Sequence, residues 1–229
     1  MSHIGSEEFY NGVIETIREN KIRGAVLYYE GVGPGSDENS EDFNKAIGID
    51  FTPGLYENFS KLYGVRSQDN NEFLNIENNL DYNIDLNLDQ IMDLYKAKTQ
   101  SEEIKSPPLL ANGEVQDLNK DVIERLSSLS QKQLTLLKYI NQGLLNFMIK
   151  HEGLRNFLVA KLANQDIFTV ILEDRNKHLV QELLIRNDEK VIILYGLMHF
   201  NGVYDLLKQQ DSSWEIINTR YQQIIIQSQ

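Results

Sequence analysis

The sequence predicts an α/β protein: a central mixed or mostly parallel sheet with a large helical insertion, about residues 88–186, in one domain covering 1–229. Two short apolar runs carry the sheet, "RGAVLYYEG" (23–31) and "VIILY" (191–195), each of strand length and each beside helix-patterned sequence. Between them, from about Leu118 to Leu184, the apolar spacing is helical almost throughout. The order is helix, strand, helical middle, strand, helix and closing hairpin, with no internal repeat of 20–50 residues. That order fits one α/β domain with an insertion better than two domains.

Each element has a local reason. Ser6 caps the first helix, with Glu7 and Glu8 in its first turn and Phe9, Val13 and Ile17 on one apolar face. The strand at 23–31 ends in Glu30 and Gly31, and "GVGPGSDENSED" is a loop by its glycines, proline and small polar residues. Residues 41–63 read as two helical pieces broken near "DFTPG". The Asn- and Asp-rich stretch that follows holds one short strand near Tyr82–Leu86, and Leu88–Lys96 is helical. "SPPLLANGE" (106–114) reads as an exposed connection, and the helical middle is expected to break near Gly143 and Gly153. Strand 190–195, a helix after His199, and two antiparallel edge strands, "SWEIIN" and "QQIIIQ", complete the order.

Composition removes several function classes. With 22 Lys and Arg against 34 Asp and Glu, the formal net charge is −12, which repels a phosphate backbone and argues against nucleic acid as a partner. There are no cysteines, so disulfides, thiolate zinc sites and cysteine nucleophiles are excluded. No apolar run approaches the roughly 20 residues that span a bilayer, and no signal-peptide pattern opens the chain. No compartment is assigned on these grounds.

Four positions combine useful chemistry with useful places. His3 precedes the first helix, Glu30 ends the first strand, Arg175 lies in "ILEDRNKHLVQELL", and His199 follows the strand 190–195. If the two strands are parallel neighbours, Glu30 and His199 leave the sheet at one carboxyl edge, where α/β proteins keep their sites. Two imidazoles and a carboxylate can hold a divalent metal; without metal, the Glu and His can form an acid–base pair. A guanidinium nearby can steady an oxyanion or a substrate carboxylate. Plainer readings remain open: a structural histidine, a turn-capping glutamate, and an arginine ion-paired beside Glu173 and Asp174. His151 and His178 lie in polar helical surroundings and receive no role.

These residues stand in stretches that resemble the TraB/GumN/Tiki family. "GLMH" (196–199) followed by "FNGVYDLL" looks like its second G-x-x-H motif, "EDRN" (173–176) like its Arg-Asn pair, and "LYYEG" (27–31) like its strand ending in Glu-Gly. "MSHIGSEEFY" is similar to the stretch around its first G-x-x-H, whose glycine would fall one residue before Met1. "GLYENFSKLYGVRSQ" (54–68) and "ENNLDYNIDLNLDQI" (77–91) resemble its middle, so the likeness runs over nearly the whole chain. More distantly, erythromycin-esterase-like and haem-binding ChaN-like folds also set a His, Glu, Arg and His around one cleft.

The resemblance implies a metal-dependent, peptidase-like hydrolase. His3, Glu30 and His199 would be metal or acid–base residues, with Mn, Co or Zn as the divalent ion. Glu30, Arg175 and His199 would be catalytic, and Arg175 with Asn176 would contact a peptide or small-molecule substrate. It also implies that the strand meant to fix His3 lies upstream, so the domain is expected to be N-terminally truncated here. Two other functions compete. One is a non-catalytic protein that binds a peptide, haem or another small ligand in the same cleft. The other is an interaction role, with the apolar middle or the Ile-rich ending "YQQIIIQSQ" making a homo-oligomer.

Overall fold

Three parallel strands form the sheet that places the site. In the computed structural model, which describes residues 3–52, 54–77, 80–108, 115–151 and 164–220, these are β2 (Val26–Tyr29), β4 (Asp81–Asn83) and β5 (Val191–Leu194), in the order β4-β2-β5. Register pairs Tyr29 with Asn83 on one side and with Leu194 on the other. The two apolar runs are thus adjacent and parallel, and Glu30, Asp85 and Gly196 all lie just past the same edge. Because the chain leaves β2 for one neighbour and later returns on its opposite side, a crevice opens beyond the carboxyl end of β2.

Alternation of side chains along β2 sorts the core into two layers. Val26 and Tyr28 pack with Leu179, Val180 and Leu183 of α8 (Arg175–Arg186) and with Val203 and Leu207 of α9 (Phe200–Gln210). Leu27 faces the other way, onto Phe9, Tyr10 and Ile17 of α1 (Glu7–Ile22) and onto Phe73. Helix α1 begins where its cap was expected: Ser6 accepts a hydrogen bond from the Phe9 amide at 3.2 Å. Lys21, near the end of α1, forms a buried ion pair with Asp81 that ties the helix to β4.

A third apolar cluster lies past the sheet edge. It joins Ala46 of α2 (Asp37–Ile47), Ile91, Met92 and Tyr95 of α4 (Leu88–Thr99), and Ile167 of the short α7 (Gln165–Thr169). From α7 the helix continues through a π-helical turn, Val170–Asp174, into α8. Away from the sheet, α3 (Leu55–Tyr63) packs on α5 (Leu118–Ser128) and α6 (Gln131–Lys150). A two-stranded antiparallel ribbon, β1 (Ile4–Gly5) with β3 (Arg66–Ser67), stands apart from the main sheet.

Several expectations need correction. Helix α6 runs unbroken through Gly143, because one interior glycine costs only about 1 kcal/mol and a Ser130–Gln133 capping box secures the helix start. "SWEIIN" is not a strand: Trp214, Ile216 and Ile217 lie in exposed, irregular chain. Its intended partner "QQIIIQ", the break near Gly153 and most of "SPPLLANGE" fall outside the described residues. The strand expected at Tyr82–Leu86 ends instead at Asn83, which leaves Asp85 beyond the sheet rather than within it. Among the described residues no helix is long and apolar enough to cross a membrane.

Candidate functional site

Glu30 is the hub of the site. Its Oε1 accepts a hydrogen bond from Arg175 Nη2 at 2.8 Å, and its Oε2 accepts one from the Gly196 amide at 2.6 Å. His199 Nε2 lies 3.7 Å from Oε1. Burial alone would raise the pKa of Glu30, but Arg175, the Gly196 N–H and His199 outweigh it and hold the carboxyl below its ordinary range. Glu30 is therefore ionised at neutral pH.

The strand and helix geometry explains why these groups meet. Glu30 is the first residue after β2, and Gly196 is the second after β5, its paired neighbour. A side chain at 196 would crowd the carboxylate, since a Cβ there would stand 3.3 Å from Glu30 Oε2. Arg175 arrives from the opposite side, immediately after the π turn, where its own amide reaches back to the Val170 carbonyl. π turns of this kind recur at functional sites because they re-aim the residues that follow.

Asp85 is the member that the sequence reading missed. Its side chain is fully buried and takes Arg175 in a bidentate grip, Nε to Oδ1 at 2.8 Å and Nη2 to Oδ2 at 2.6 Å. The Gly31 and Leu86 amides also donate to it, at 3.1 and 2.9 Å. Arg175 thus bridges two carboxylates and is itself buried. The sequence signal was weaker than at Glu30: Tyr82, Ile84 and Leu86 alternate with polar residues, and Asp85 lies within that alternation, two residues past the end of β4.

His199 sits in the turn Leu197–His199 that leads into α9, and it is only 4% exposed. Its Nδ1 lies 2.7 Å from Asn176 Oδ1, so Nδ1 carries the proton and Nε2 keeps its lone pair toward Glu30. Burial pushes its pKa down to about 4, against the opposing pull of Glu30, and the ring is neutral at pH 7. Tyr195 meets the ring edge-on, with centroids 5.5 Å apart.

A cavity of about 990 Å³ opens in front of this cluster. Glu30 and Arg175 reach it, whereas His199 lies behind Glu30. Its walls come from both flanking clusters, with Phe73 on one side and Phe43 and Ile171 on the other. His3 reaches the same cavity from a separate direction, its ring 4.8 Å from that of Tyr56. The His3 carbonyl accepts from the Gln68 amide at 2.9 Å, which anchors the chain there to β3.

Of the sequence-expected residues, Glu30 is hydrogen-bonded to Arg175 and His199 to Asn176, and the two pairs meet where His199 Nε2 lies 3.7 Å from Glu30 Oε1; His3 shares the cavity and feels the charges of Glu30 and Arg175. Among the described residues no group of three His, Asp or Glu side chains is gathered to hold a metal ion. Each Glu30 oxygen already accepts one N–H donor, from Arg175 and from Gly196. These features define an α/β protein with a charged cluster at the floor of a cavity, at the carboxyl edge of a parallel sheet. No protein-family model, curated protein or solved structure matches the chain.

Proposed function

We propose that the protein is a hydrolase of the TraB/GumN/Tiki type that cleaves an amide bond of a peptide-like substrate in this cavity. The observation that carries the reading is the meeting at Glu30 of Arg175, Gly196 and His199, positions far apart in the chain, on the floor of a cavity large enough for a small ligand. In this proposal Glu30 takes a proton from a water as its oxygen adds to the substrate carbonyl carbon. It returns that proton to the leaving nitrogen as the C–N bond breaks. Arg175 sets the position of Glu30 and borders the substrate, and Asn176 sets the position of His199. The neutral His199 ring backs Glu30 without adding charge.

The resemblance also brings a divalent ion (Mn, Co or Zn) into the proposal, with His3, Glu30 and His199 as its donors. Elemental analysis of wild type, Glu30→Gln and His199→Gln tests that part. Near one equivalent in wild type, lost in both variants, would support it.

A second reading is a binding protein without catalysis, for a peptide, haem or other small ligand. It is favoured by the hydrogen bonds that commit Nε and Nη2 of Arg175 to carboxylates and by the lowered pKa of Glu30, since a general base works best with a pKa near the working pH. Incubation with a peptide library followed by mass spectrometry separates the two. Products formed by wild type and abolished in folded Glu30→Gln support hydrolysis; retention of intact ligand supports binding alone. Self-association is a further part of the proposal. Leu136, Ile140, Leu144 and Phe147 form an exposed apolar stripe on α6, and sedimentation of wild type against Ile140→Glu checks it.

A further inference from the structure

We propose that the cavity selects a ligand with a positively charged nitrogen group, an ammonium or guanidinium, on an apolar or aromatic body. This rests on the reading of the cavity as the functional site and names the chemistry that the site would recognise.

The charge balance of the floor is the first support. One guanidinium stands between two carboxylates, and Asp85 holds it the more closely, through two hydrogen bonds against the single one to Glu30. Asp85 is sealed from solvent, whereas the Glu30 side chain keeps 20% exposure and reaches the cavity. The floor therefore carries an excess negative charge, and it is concentrated on the group that a ligand can touch. A buried carboxylate with one shared cation attracts a second cation strongly, because the surrounding dielectric is low.

The lining points the same way. Among the described lining residues Arg175 is the only Lys or Arg, and Asp69 adds another carboxylate. Nε and Nη2 of Arg175 are already donated to carboxylates, so only Nη1 is left for an anionic ligand, which would also lie beside Glu30. Phe51 and Tyr56 line the cavity yet remain 41% and 42% exposed. Open aromatic faces beside a negative floor suit a cation carried on an apolar stem. The net charge of −12 would also draw a cation in and repel an anion over longer distances.

Three derivatives of one dipeptide test this: phenylalanyl-phenylalaninamide with its amine free, N-acetylated, or N-succinylated. They share an aromatic body and carry charges of plus one, zero and minus one near neutral pH. Affinities would be measured calorimetrically on the full chain at low salt. The proposal expects the free amine to bind at least about tenfold tighter than the acetyl form, and the succinyl form weakest. It expects Glu30→Gln to bring the first two within about threefold of each other, and Phe51→Ala to weaken all three alike. Equal or tighter binding of the acetyl or succinyl form overturns it, as does no binding of any form to folded wild type. If Glu30→Gln fails to fold, the wild-type ranking and its collapse at high salt decide alone. Tight, charge-dependent binding without cleavage would remove the hydrolase reading and leave this one standing. Cleavage without a charge preference would do the reverse.

Discussion

Asn176 Oδ1 stands 2.7 Å from Nδ1 of His199, so the residue after Arg175 fixes the proton on a ring 23 positions later. That contact turns the Nε2 lone pair toward Glu30, 3.7 Å away, and gives the buried Nδ1 a neutral partner rather than a charged one. Replacing the amide by a carboxylate changes the balance. Asn176→Asp is expected to raise the His199 pKa from about 4 by roughly one unit or more, because the charged ring would gain an opposite charge at contact distance. A proton NMR titration of the His199 ring measures this directly. An unchanged midpoint would mean that Asn176 does not face Nδ1 in solution.

Asp85 makes a second, independent prediction. It is a buried carboxylate whose bidentate partner, Arg175, is also buried, so removing its charge strands a guanidinium with Glu30 alone. Asp85→Asn should destabilise the fold by about 3–5 kcal/mol, read from urea denaturation. Arg175→Lys should fall in the same range, because a lysine cannot reproduce the two-pronged grip. A loss below about 1 kcal/mol in both would show that the bridge is open to water.

How much of this was legible beforehand depended on local signals. Glu30 and His199 could be found because each follows an apolar run short enough to be a strand, and strand ends meet at a sheet edge. Arg175 stood out only as a guanidinium with a useful chemistry, beside the plainer reading of an ion-paired helix residue, and Asn176 was picked out by the resemblance alone. Asp85 was hidden because the strand before it was read three residues too long at its end, and a residue inside a strand has no claim on the edge. The hairpin at the C-terminus failed for a different reason. Alternating Trp and Ile is strand-like locally, but no neighbouring edge pairs with Trp214–Asn218 among the described residues.

Acid should unfold the protein earlier than its carboxylates alone would dictate. His199 has a folded pKa of about 4, below the ordinary 6.5, so the unfolded chain binds the extra proton first as pH falls. Stability is therefore full above about pH 6.5 and declines as pH drops toward 4, by on the order of 3 kcal/mol from this group. Glu30 acts in the same direction at lower pH: its depressed pKa gives stability that is lost as it becomes protonated. Urea midpoints between pH 7 and 4.5 should fall steadily in wild type. In His199→Gln the slope between pH 6.5 and 4.5 should flatten markedly; an undiminished slope would assign the acid sensitivity to other groups.

Two glycines in helices should respond oppositely to alanine. Gly202 lies in α9, and a Cβ there would stand 2.3 Å from Asn176 Nδ2, closer than real atoms approach. Gly143 lies in α6, where a Cβ would meet nothing within 4 Å. In a helix interior, alanine is intrinsically favoured over glycine by about 1 kcal/mol. Gly143→Ala should therefore raise the unfolding free energy by roughly 0.5–1 kcal/mol. Gly202→Ala should lower it by about 1–3 kcal/mol, because the new methyl group must push the Asn176 amide away from its place. Since that amide holds the His199 ring, the same variant should also shift the His199 NMR signals, whereas Gly143→Ala should leave them in place. Stabilisation by both substitutions, with His199 undisturbed, would mean that α8 and α9 are farther apart at this point than the 2.3 Å approach requires.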